Sequence, residues 1–550
     1  MLPQRMLVAA LLLVPVPGAQ GPQGTGDHGA LVFIMGQEPA SPVPTALQSS
    51  KANADISDLL FLRLARPGPG LSVADEKTFE PQLARSWRRR DSLTLVFELD
   101  PRAKWHDGTP VTARDVVWTF DRTRAPGADP QRALLLRYLA SATAETDRRV
   151  VLTFRRAYSA QFFDATYHVQ PLPAHLVDSI PIGRFAASQF VRQPVGNGPY
   201  RWVRREPGRL VELAADPAFF LGAPKLDRVV VLVARDPEAQ INLLLDGTAD
   251  AYEAIPPVWG PPRIPRNSPI RLLAAPSFSV AYLLFNQRAY GDRSKPHPVL
   301  SDPAVRRAVT LAIDRATLVR STFGAYAQIA EAPVAGPQWT SSLVPKGPPF
   351  DPAAARALLR ERGWADRDGD GTLDKDGVPL ALRLNLPSTS APRLTIAPQV
   401  QEQLRHVGIR IDIVRLDGPV WAERRNKGEF DIDFSSATLD PSPSGIVQSW
   451  TCAGRSGSNV GQYCNPAVDS LLDRAIYSTR RGDAEWRAAY AALQRDYPAV
   501  FLASSSSVFA IHSRFRGVTL RPESYYADIW RWSVDPARRI ARDGGGARGR

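Results

Sequence analysis

A short alternating strand that stops at a proline-interrupted loop is the most constraining feature of this sequence. Residues 430–434 alternate apolar and polar side chains, which is the pattern of a half-buried strand. Residues 435–445 are small, polar and interrupted by two prolines, so the strand must end in a loop there. Open α/β sheets place their ligands at loops of this kind. We therefore expect this loop either to catalyse a reaction or to hold a ligand.

The length of the chain excludes a single small domain. At 550 residues the sequence is too long for one hydrophobic core, and about three structural units are expected. Hydrophobic residues make up 44% of the chain and charged residues 22%, which is ordinary for a globular protein. Fibrous and disordered classes are therefore not expected.

The N-terminus has the pattern of a secretory signal. Arg5 precedes an apolar run at residues 6–16, and the small residues Gly18 and Ala19 follow. The run is shorter than the roughly 20 apolar residues that a bilayer span needs. Its prolines also disfavour a buried helix. We predict that residues 1–19 are a cleaved signal peptide, that the protein is periplasmic and, because no cysteine follows the run, that it has no lipid anchor.

The predicted export places the two cysteines of the chain in an oxidising compartment. Cys452 and Cys464 are the only cysteines, and they lie twelve positions apart in a loop rich in Gly, Ser and Asn. An even cysteine count in an oxidising compartment predicts a disulfide. Closing a loop of this size contributes on the order of 3 kcal/mol in the chain-entropy description. The alternative, a thiolate metal site, lacks nearby histidines.

The net charge of +13 raises the question of nucleic acid or an anionic membrane as a partner. Dense basic runs occur only at residues 88–90 and 538–542. The second run lies in a glycine-rich tail, residues 536–550, that we expect to be disordered. Arginine outnumbers lysine along the whole chain, so we interpret the charge as a solvated, arginine-rich surface. Nucleic acid is not an expected partner.

An acidic loop is a candidate calcium site. Asp366, Asp368, Asp370 and Asp374 occupy the first, third, fifth and ninth positions of a loop that resembles an EF-hand, with glycine at the sixth. The twelfth position is Gly377, where a bidentate glutamate is needed, so a solvated turn is the favoured interpretation. A structural calcium from Asp366 to Asp374 is the alternative, and no other cofactor or metal is expected.

Catalytic motifs are missing from the sequence. The histidines are scattered, and there is no His-Glu-x-x-His motif, nucleophile elbow or phosphate-binding loop. We therefore predict no catalytic residues and a protein that is not an enzyme.

Periodicity predicts further elements, including a strand, helix and strand at residues 380–414 that imply a right-handed parallel crossover. Thr112 is a suitable N-cap for a helix at 111–120, and Asp115 supplies the acidic half of a capping box. The other predicted strands lie at 31–34, 93–99, 499–502 and 508–511, and the other helices at 56–64 and 486–497.

Several motifs, in order along the chain, resemble the signature of family 5 extracellular solute-binding proteins, the peptide-, nickel- and related ligand-binding components of ABC importers. The resemblance covers residues 30 to 535. The motifs are Glu80, Pro81, Leu83, Ala84 and Trp87; Trp105, His106, Asp107, Gly108, Thr109 and Pro110; Val195, Gly196, Asn197, Gly198, Pro199 and Tyr200; Asp216, Pro217 and Phe219; and Asp302, Pro303, Ala304, Ala312, Ile313 and Asp314.

The resemblance implies an α/β, two-lobe periplasmic binding protein fold of the large class, with an extra subdomain in the first lobe. The implied first lobe comprises residues 28–70, 195–285 and 505–535, the extra subdomain 71–194, and the second lobe 286–504. It implies a monomeric substrate-binding component that captures a small solute, with a short peptide as the favoured class, by hinge closure and docks on the permease subunits of an importer. A binder of metal chelates, sugars or other solutes, a sensory binding protein and a secreted peptide hydrolase are the alternatives.

The resemblance and the polar loop together give a set of ligand-binding candidates: Trp421, Phe434, Ser436, Thr438, Asp440, Phe285 and Asn286. Tyr282, Trp450 and Tyr463 are further aromatic candidates, since flat rings can line an apolar pocket. One position departs from the family pattern. In its peptide binders an aspartate three residues before the Asp-Pro pair binds the ammonium group of the ligand, and here that position is Ala437. Either Asp440 substitutes for it, or the ligand is not a peptide with a free amine.

Overall fold

The computed structural model describes residues 29–543 except 40, 45–49, 70, 72, 74, 258–259 and 481. The predicted signal peptide and residues 544–550 lie outside this part of the chain. Within it, no helix combines the length and the apolar character that crossing a membrane requires.

One mixed sheet of eleven strands runs through the whole molecule. In spatial order its strands are Arg410–Leu416, Ala381–Pro387, Ile432–Thr438, Ile270–Phe285, Ala499–His512, Ala251–Ile255, Ala30–Met35, Arg228–Val233, Leu210–Ala215 and Tyr200–Glu206, with Ala327–Ile329 added beside Ala499–His512.

Two long strands divide this sheet into two lobes. Ile270–Phe285 and Ala499–His512 pair with each other along most of their length. At one end Ala499–His512 pairs with Ala251–Ile255, and the strands beyond it form the first lobe. At the other end Ile270–Phe285 pairs with Ile432–Thr438, which opens the second lobe. The two-lobe α/β architecture predicted from the sequence is confirmed.

The strand Ala499–His512 corrects one prediction. The serines at 504–507 suggest a break between two strands, yet Ser504, Ser505 and Ser507 all pair with Ile270–Phe285, with a shift in register between Ser505 and Ser507. Backbone hydrogen bonds form the ladder whatever the side chain, and two neighbouring strands hold the serines in place here.

The second lobe contains the predicted parallel crossover. Ala381–Pro387 and Arg410–Leu416 pair in parallel, and the helix Ala391–Arg405 connects them. The first lobe carries a separate antiparallel sheet with the strand order Ala84–Arg89, Thr94–Leu99, Arg149–Phe154 and Leu139–Thr146. This sheet falls inside the expected extra subdomain, and the exact domain boundaries stay a prediction.

The other helices are Lys51–Leu60, Ala113–Arg124, Pro130–Leu135, Gln161–Thr166, Ala174–Val177, Ile182–Phe185, Gln189–Arg192, Pro237–Leu245, Pro303–Leu311, Arg315–Phe323, Pro352–Glu361, Gly418–Lys427, Val447–Trp450, Pro466–Ile476 and Asp483–Asp496. Two-stranded pairs join Ala65–Arg66 to Glu80–Pro81, Arg288–Ala289 to Asp292–Pro296, Asp374–Lys375 to Val378–Pro379, and Phe515–Arg516 to Ser533–Val534. The capping box of Thr112 and Asp115 at the start of Ala113–Arg124 is confirmed.

A glycine-rich turn explains where the first helix ends. The helix Lys51–Leu60 stops four residues before the predicted end, because the carbonyl oxygen of Leu60 accepts hydrogen bonds from the amides of Asn197 and Gly198. A Cβ atom at Gly196 would lie 2.0 Å from that oxygen, so only glycine permits the approach. His106 supports the same turn, because its Nδ1 accepts a hydrogen bond from the amide of Gly196.

The C-terminal tail corrects a second prediction, because its described part is folded. Asp543 is buried and accepts hydrogen bonds from the amides of Ala30 and Ile540 at 3.1 and 2.8 Å. The Asp543 carboxylate also pairs with Arg514, which is itself fully buried and bound to Asp250. These buried ionic contacts tie residues 540–543 to the first strand of the sheet.

Candidate functional site

A cavity of about 440 Å³ lies between the two lobes. Its volume is within the range of roughly 300–1,000 Å³ that is usual for small-ligand sites. The second lobe contributes the end of strand Ile432–Thr438 and the following loop, and the first lobe contributes the opposite wall. The first-lobe side chains include Asn53, Arg63, Asp129, Arg132, Tyr167 and His168.

The predicted strand-to-loop transition forms the second-lobe wall. The strand pairs as far as Thr438 opposite Ser279, and the amide of Leu439 then donates to the carbonyl of Phe278. Pro441 follows, and proline has no N–H to extend a ladder, so the chain turns away. Three of the predicted ligand residues, Ser436, Thr438 and Asp440, therefore line the cavity together with Ala437.

Trp421 and Phe434 lie behind this wall rather than on it. Neither borders the cavity, and Phe434 is buried in the core of the second lobe. The indole Nε1 of Trp421 donates to Asp433 at 2.7 Å, and Asp433 also accepts from Arg425 Nε at 3.2 Å. Asp433 is fully buried, so Trp421 helps to satisfy a buried carboxylate beneath the cavity.

Phe285 and Asn286 also lie outside the cavity. Phe285 is fully buried in the second-lobe core, and the Nδ2 of Asn286 donates to the carbonyls of Gly428 and Phe430 at 3.0 and 2.9 Å. Asn286 therefore holds two chain segments together. The crossover strand reaches the cavity earlier, through Val280 and Tyr282. Phe285 and Asn286 thus lie three to six residues after the positions that reach the cavity, one of which is the aromatic candidate Tyr282.

Of the remaining aromatic candidates, Trp450 lines the cavity, and its ring centroid lies 5.4 Å from that of Tyr282. Tyr463 is buried, and its hydroxyl donates to Asp496 at 2.6 Å away from the cavity. Tyr282 and Trp450 therefore provide two aromatic rings on one side of the site, and Tyr167 adds a ring from the first lobe.

The carboxylate of Asp440 is the least paired charge on the second-lobe wall. Its side chain is 28% exposed, and no described residue donates a hydrogen bond to its carboxylate. The nearest nitrogen of a basic side chain is Nδ1 of His168, at 4.0 Å across the cavity. The His168 side chain is 5% exposed, and its Nε2 is 3.2 Å from Asp164. Asp440 thus presents a carboxylate to whatever occupies the cavity.

Two guanidinium groups near the cavity are incompletely paired. Burial lowers the pKa of Arg132, whose Nη1 donates to the His168 carbonyl at 3.4 Å and whose Nε is 4.0 Å from Asp129. Burial also lowers the pKa of Arg393, which donates to Ser436 Oγ at 2.7 Å. A desolvated cation without a close anion is costly, so both positions favour a negatively charged ligand group.

The first-lobe wall was not found from the sequence. Arg132, Tyr167 and His168 belong to the extra subdomain, about 270 residues before Asp440 in the chain. Neither spacing nor periodicity marks them, because the fold alone brings them to the cavity.

Comparison with known proteins places the chain in a family. Residues 78–458 match the family described as bacterial extracellular solute-binding proteins, family 5, middle. The chain belongs to this family.

Similar proteins agree with this assignment. The oligopeptide-binding protein AppA of Bacillus subtilis is 25% identical over 491 residues, which cover 88% of this chain and 87% of that protein. The glutathione-binding protein GsiB of Pectobacterium atrosepticum is 28% identical over 80% of this chain and 82% of its own length. The structure of Bacillus subtilis AppA in complex with a nonapeptide matches with a TM-score of 0.83 at 25% identity, covering 93% of this chain and all of that one. NikZ of Campylobacter jejuni, in complex with Ni(L-His), matches with a TM-score of 0.80 at 23% identity, which shows the shared fold.

A second contact joins the lobes of this solute-binding protein away from the cavity. Tyr477, at the end of helix Pro466–Ile476, lies between Arg137 and Arg156 of the extra subdomain, at 4.9 and 4.7 Å from their guanidinium carbons to its ring centroid. Its ring also meets that of Tyr138 at 4.4 Å. Asp473 accepts from Arg137 at 2.7 Å. We call these five residues the Tyr477 clasp.

The predicted disulfide is confirmed between Cys452 and Cys464, with an S–S distance of 2.11 Å. The loop that it closes leads directly into the helix Pro466–Ile476. The amide of Cys452 donates to Asp469 of that helix at 3.0 Å. The disulfide therefore connects the cavity loop to the helix that carries half of the Tyr477 clasp.

The acidic loop only partly matches the predicted calcium site. Oxygens of Asp366, Asp368 and Asp370 lie within 4.8 Å of one another, and all three side chains are exposed. Asp374, the expected fourth ligand, pairs instead with Arg367 at 2.6 Å. These three carboxylates are fewer oxygen ligands than the roughly six to eight that calcium prefers.

Proposed function

We propose that this protein is the peptide-capturing component of an ABC importer. The observation that carries the proposal is the interlobe cavity, whose second-lobe wall presents the unpaired carboxylate of Asp440 and whose surroundings include the incompletely paired Arg132 and Arg393. A zwitterionic peptide supplies both an ammonium and a carboxylate. Relatives that bind an oligopeptide or glutathione support this ligand class.

Asp440 takes the role that Ala437 cannot perform. The ammonium group of the ligand would pair with the Asp440 carboxylate, which no described residue occupies. A charge-assisted hydrogen bond of this kind contributes roughly 1.5–3 kcal/mol. The ligand carboxylate would then lie toward the guanidinium groups of the same cavity.

Ligand binding would work by closing the two lobes about the paired long strands. A ligand that touches both walls favours the closed form only by its difference in affinity for the two forms. The closed form would then dock on permease subunits of the importer. We further propose that the mature protein is an exported monomer that has lost its signal peptide, has no lipid anchor, catalyses no reaction and binds no nucleic acid.

A thermal-shift screen of the purified mature protein tests the ligand class. A ligand present at 100 times its dissociation constant stabilises the folded state by about 2.7 kcal/mol, which raises the melting temperature measurably. We expect stabilisation by free-amine peptides and not by sugars, with weaker shifts for the same peptides after N-terminal acetylation. Stabilisation by sugars alone, or release of cleaved products from labelled peptides, would overturn the proposal.

A metal chelate is the second candidate, because one observation favours it. The guanidinium groups of Arg132 and Arg393 suit the carboxylates of an anionic chelate, and NikZ shares the fold. The same screen with nickel–histidine separates the two candidates. A shift with the complex and none with peptides would select the chelate.

A further inference from the structure

A second cavity lies directly beside the main one. It measures about 290 Å³ and is formed within the first lobe, between the loop after helix Lys51–Leu60 and the C-terminal residues 521–531. Arg63 and Tyr167 line both cavities. The two spaces are therefore neighbours, and these two side chains form the wall between them.

This wall is one side chain thick and is held by few bonds. Arg63 Nη1 donates to Asp58 at 2.5 Å, and Nε donates to the carbonyl of Tyr167 at 2.7 Å. The guanidinium carbon lies 4.8 Å from the centroid of the Tyr167 ring. On the main-cavity side, Gln170 donates to the same Asp58 at 3.0 Å. Removal of the Arg63 side chain would thus take away one of the two side chains that separate the cavities and leave Tyr167 as the rest of the wall.

We propose that the two cavities are compartments of one ligand site and that Arg63 limits the length of the ligand. This inference rests on the proposed peptide-binding function. With Arg63 in place a ligand is confined to the main compartment of about 440 Å³. Without it, the far end of a longer chain can enter the second compartment.

The lining of the second compartment indicates which part of a ligand it takes. Most of its charges are paired, with Arg66 donating to Glu80 at 2.8 Å and Arg521 pairing with Glu523 at 2.5 Å. The second carboxylate oxygen of Glu523, Oε2, is buried and accepts no hydrogen bond from a described residue. The indole of Trp530 borders the same space. A ligand carboxylate would be repelled by Glu523, whereas a neutral N–H or O–H group could donate to its Oε2. An uncharged peptide segment with an apolar or neutral hydrogen-bond-donating side chain therefore fits best.

Native mass spectrometry of the full mature protein tests the inference. The protein is mixed with equimolar random-sequence peptide libraries of fixed length, from two to six residues, and the masses of the bound peptides are read. We expect Arg63→Ala to raise the ratio of long to short bound peptides about tenfold relative to the unmodified protein. Arg63→Gln, which is shorter but keeps a donor for Asp58, should shift the ratio in the same direction by less.

Two further variants identify the compartment responsible. Ser449→Ala changes a side chain that lines only the main cavity and has no assigned ligand contact, so it should leave the length ratio unchanged. Ala527→Phe fills the second compartment, whose lining includes Ala527. Added to Arg63→Ala, it should cancel the gain in long peptides while leaving short peptides bound.

The outcomes separate this inference from the proposed function. If the unmodified protein binds no peptide of any length, the proposed function fails. If it binds peptides, but folded Arg63→Ala and Arg63→Gln proteins keep its length ratio, only the compartment inference is wrong. A gain that survives Ala527→Phe would also overturn it, because the extra length would then lie in the main cavity.

Discussion

Two of the places where the lobes meet differ in how completely their polar groups are paired. Across the cavity Nδ1 of His168 comes no closer than 4.0 Å to Asp440, and the Asp440 carboxylate accepts no hydrogen bond from a described residue. At the Tyr477 clasp, two arginines, a tyrosine pair and Asp473 contact one another directly. Unpaired groups therefore face the ligand in the cavity, whereas the Tyr477 clasp provides direct attraction between the lobes.

The cavity should therefore determine which ligands bind, and the Tyr477 clasp should determine how stable the closed form is. A change in the cavity should alter the affinity for some ligands and spare others, because it alters contacts with particular chemical groups. A change in the clasp should weaken all ligands by the same factor, because it alters the population of the closed form.

The largest expected effect concerns the disulfide that links the two places. Cys452→Ser with Cys464→Ser should lower the free energy of unfolding by about 3 kcal/mol, since the open loop gains conformational entropy in the unfolded chain. Urea unfolding of the oxidised protein and the variant measures the difference. An unchanged unfolding midpoint would show that this loop needs no covalent support.

Asp440→Asn should have the next largest effect. Loss of the carboxylate removes a charge-assisted hydrogen bond worth roughly 1.5–3 kcal/mol, so affinity for free-amine peptides should fall about 10- to 100-fold. N-acetylated peptides should bind as before, and the unfolding midpoint should not move. Isothermal titration calorimetry measures both peptide types. Equal losses for the two would place the ammonium group elsewhere.

Tyr477→Ala should weaken every ligand about tenfold. The substitution removes two aromatic contacts, with Tyr138 and Tyr158, and two cation–π contacts, each worth roughly 0.5–1.5 kcal/mol. Asp473→Asn is the matched control, because its ion pair with Arg137 is partly exposed and such pairs contribute at most about 1 kcal/mol. Titration with several ligands measures the factor for each. A loss confined to one ligand would mean that the clasp is part of the binding surface.

The smallest expected effect is a pH dependence of the free energy of unfolding, which comes from Asp431. Burial alone raises the pKa of Asp431, but hydrogen bonds from His297 and Arg383 outweigh it, and the net pKa lies below its usual value. The resulting stabilisation is complete above about pH 4, near the pKa of an unfolded aspartate, and is lost as the pH falls through the lower folded-state value. The stability deficit of Asp431→Asn should therefore shrink between pH 5 and pH 3 in urea unfolding. A constant deficit would contradict this account.

The sequence predicts the residues of the second-lobe wall better than the residues that lie behind it. Ser436, Thr438 and Asp440 lie where the local strand-to-loop pattern places them, because proline ends a strand by its own chemistry. Phe434 and Trp421 were assigned to the cavity from the family resemblance, but here Phe434 packs in the second-lobe core and Trp421 donates to the buried Asp433. In this sheet both faces of the strand near Phe434 are covered.

Long-range neighbours account for the remaining errors. Asp543 lies in a tail whose composition suggests disorder, yet its carboxylate meets Arg514 and the amide of Ala30, more than 500 residues earlier. The first-lobe wall of the cavity has the same origin. Contacts of this kind have no signature in a local window of sequence.

The position of the strand Ala499–His512 determines when the two sides of the large sheet can join during folding. This strand is made among the last residues of the chain, yet it lies in the middle of the sheet, between Ile270–Phe285 and Ala251–Ile255. While the chain is being synthesised, the two sides of the sheet have no strand to join them. Such distant pairings also fold slowly. The two sides of the sheet can therefore be joined only after residues 499–512 have been synthesised.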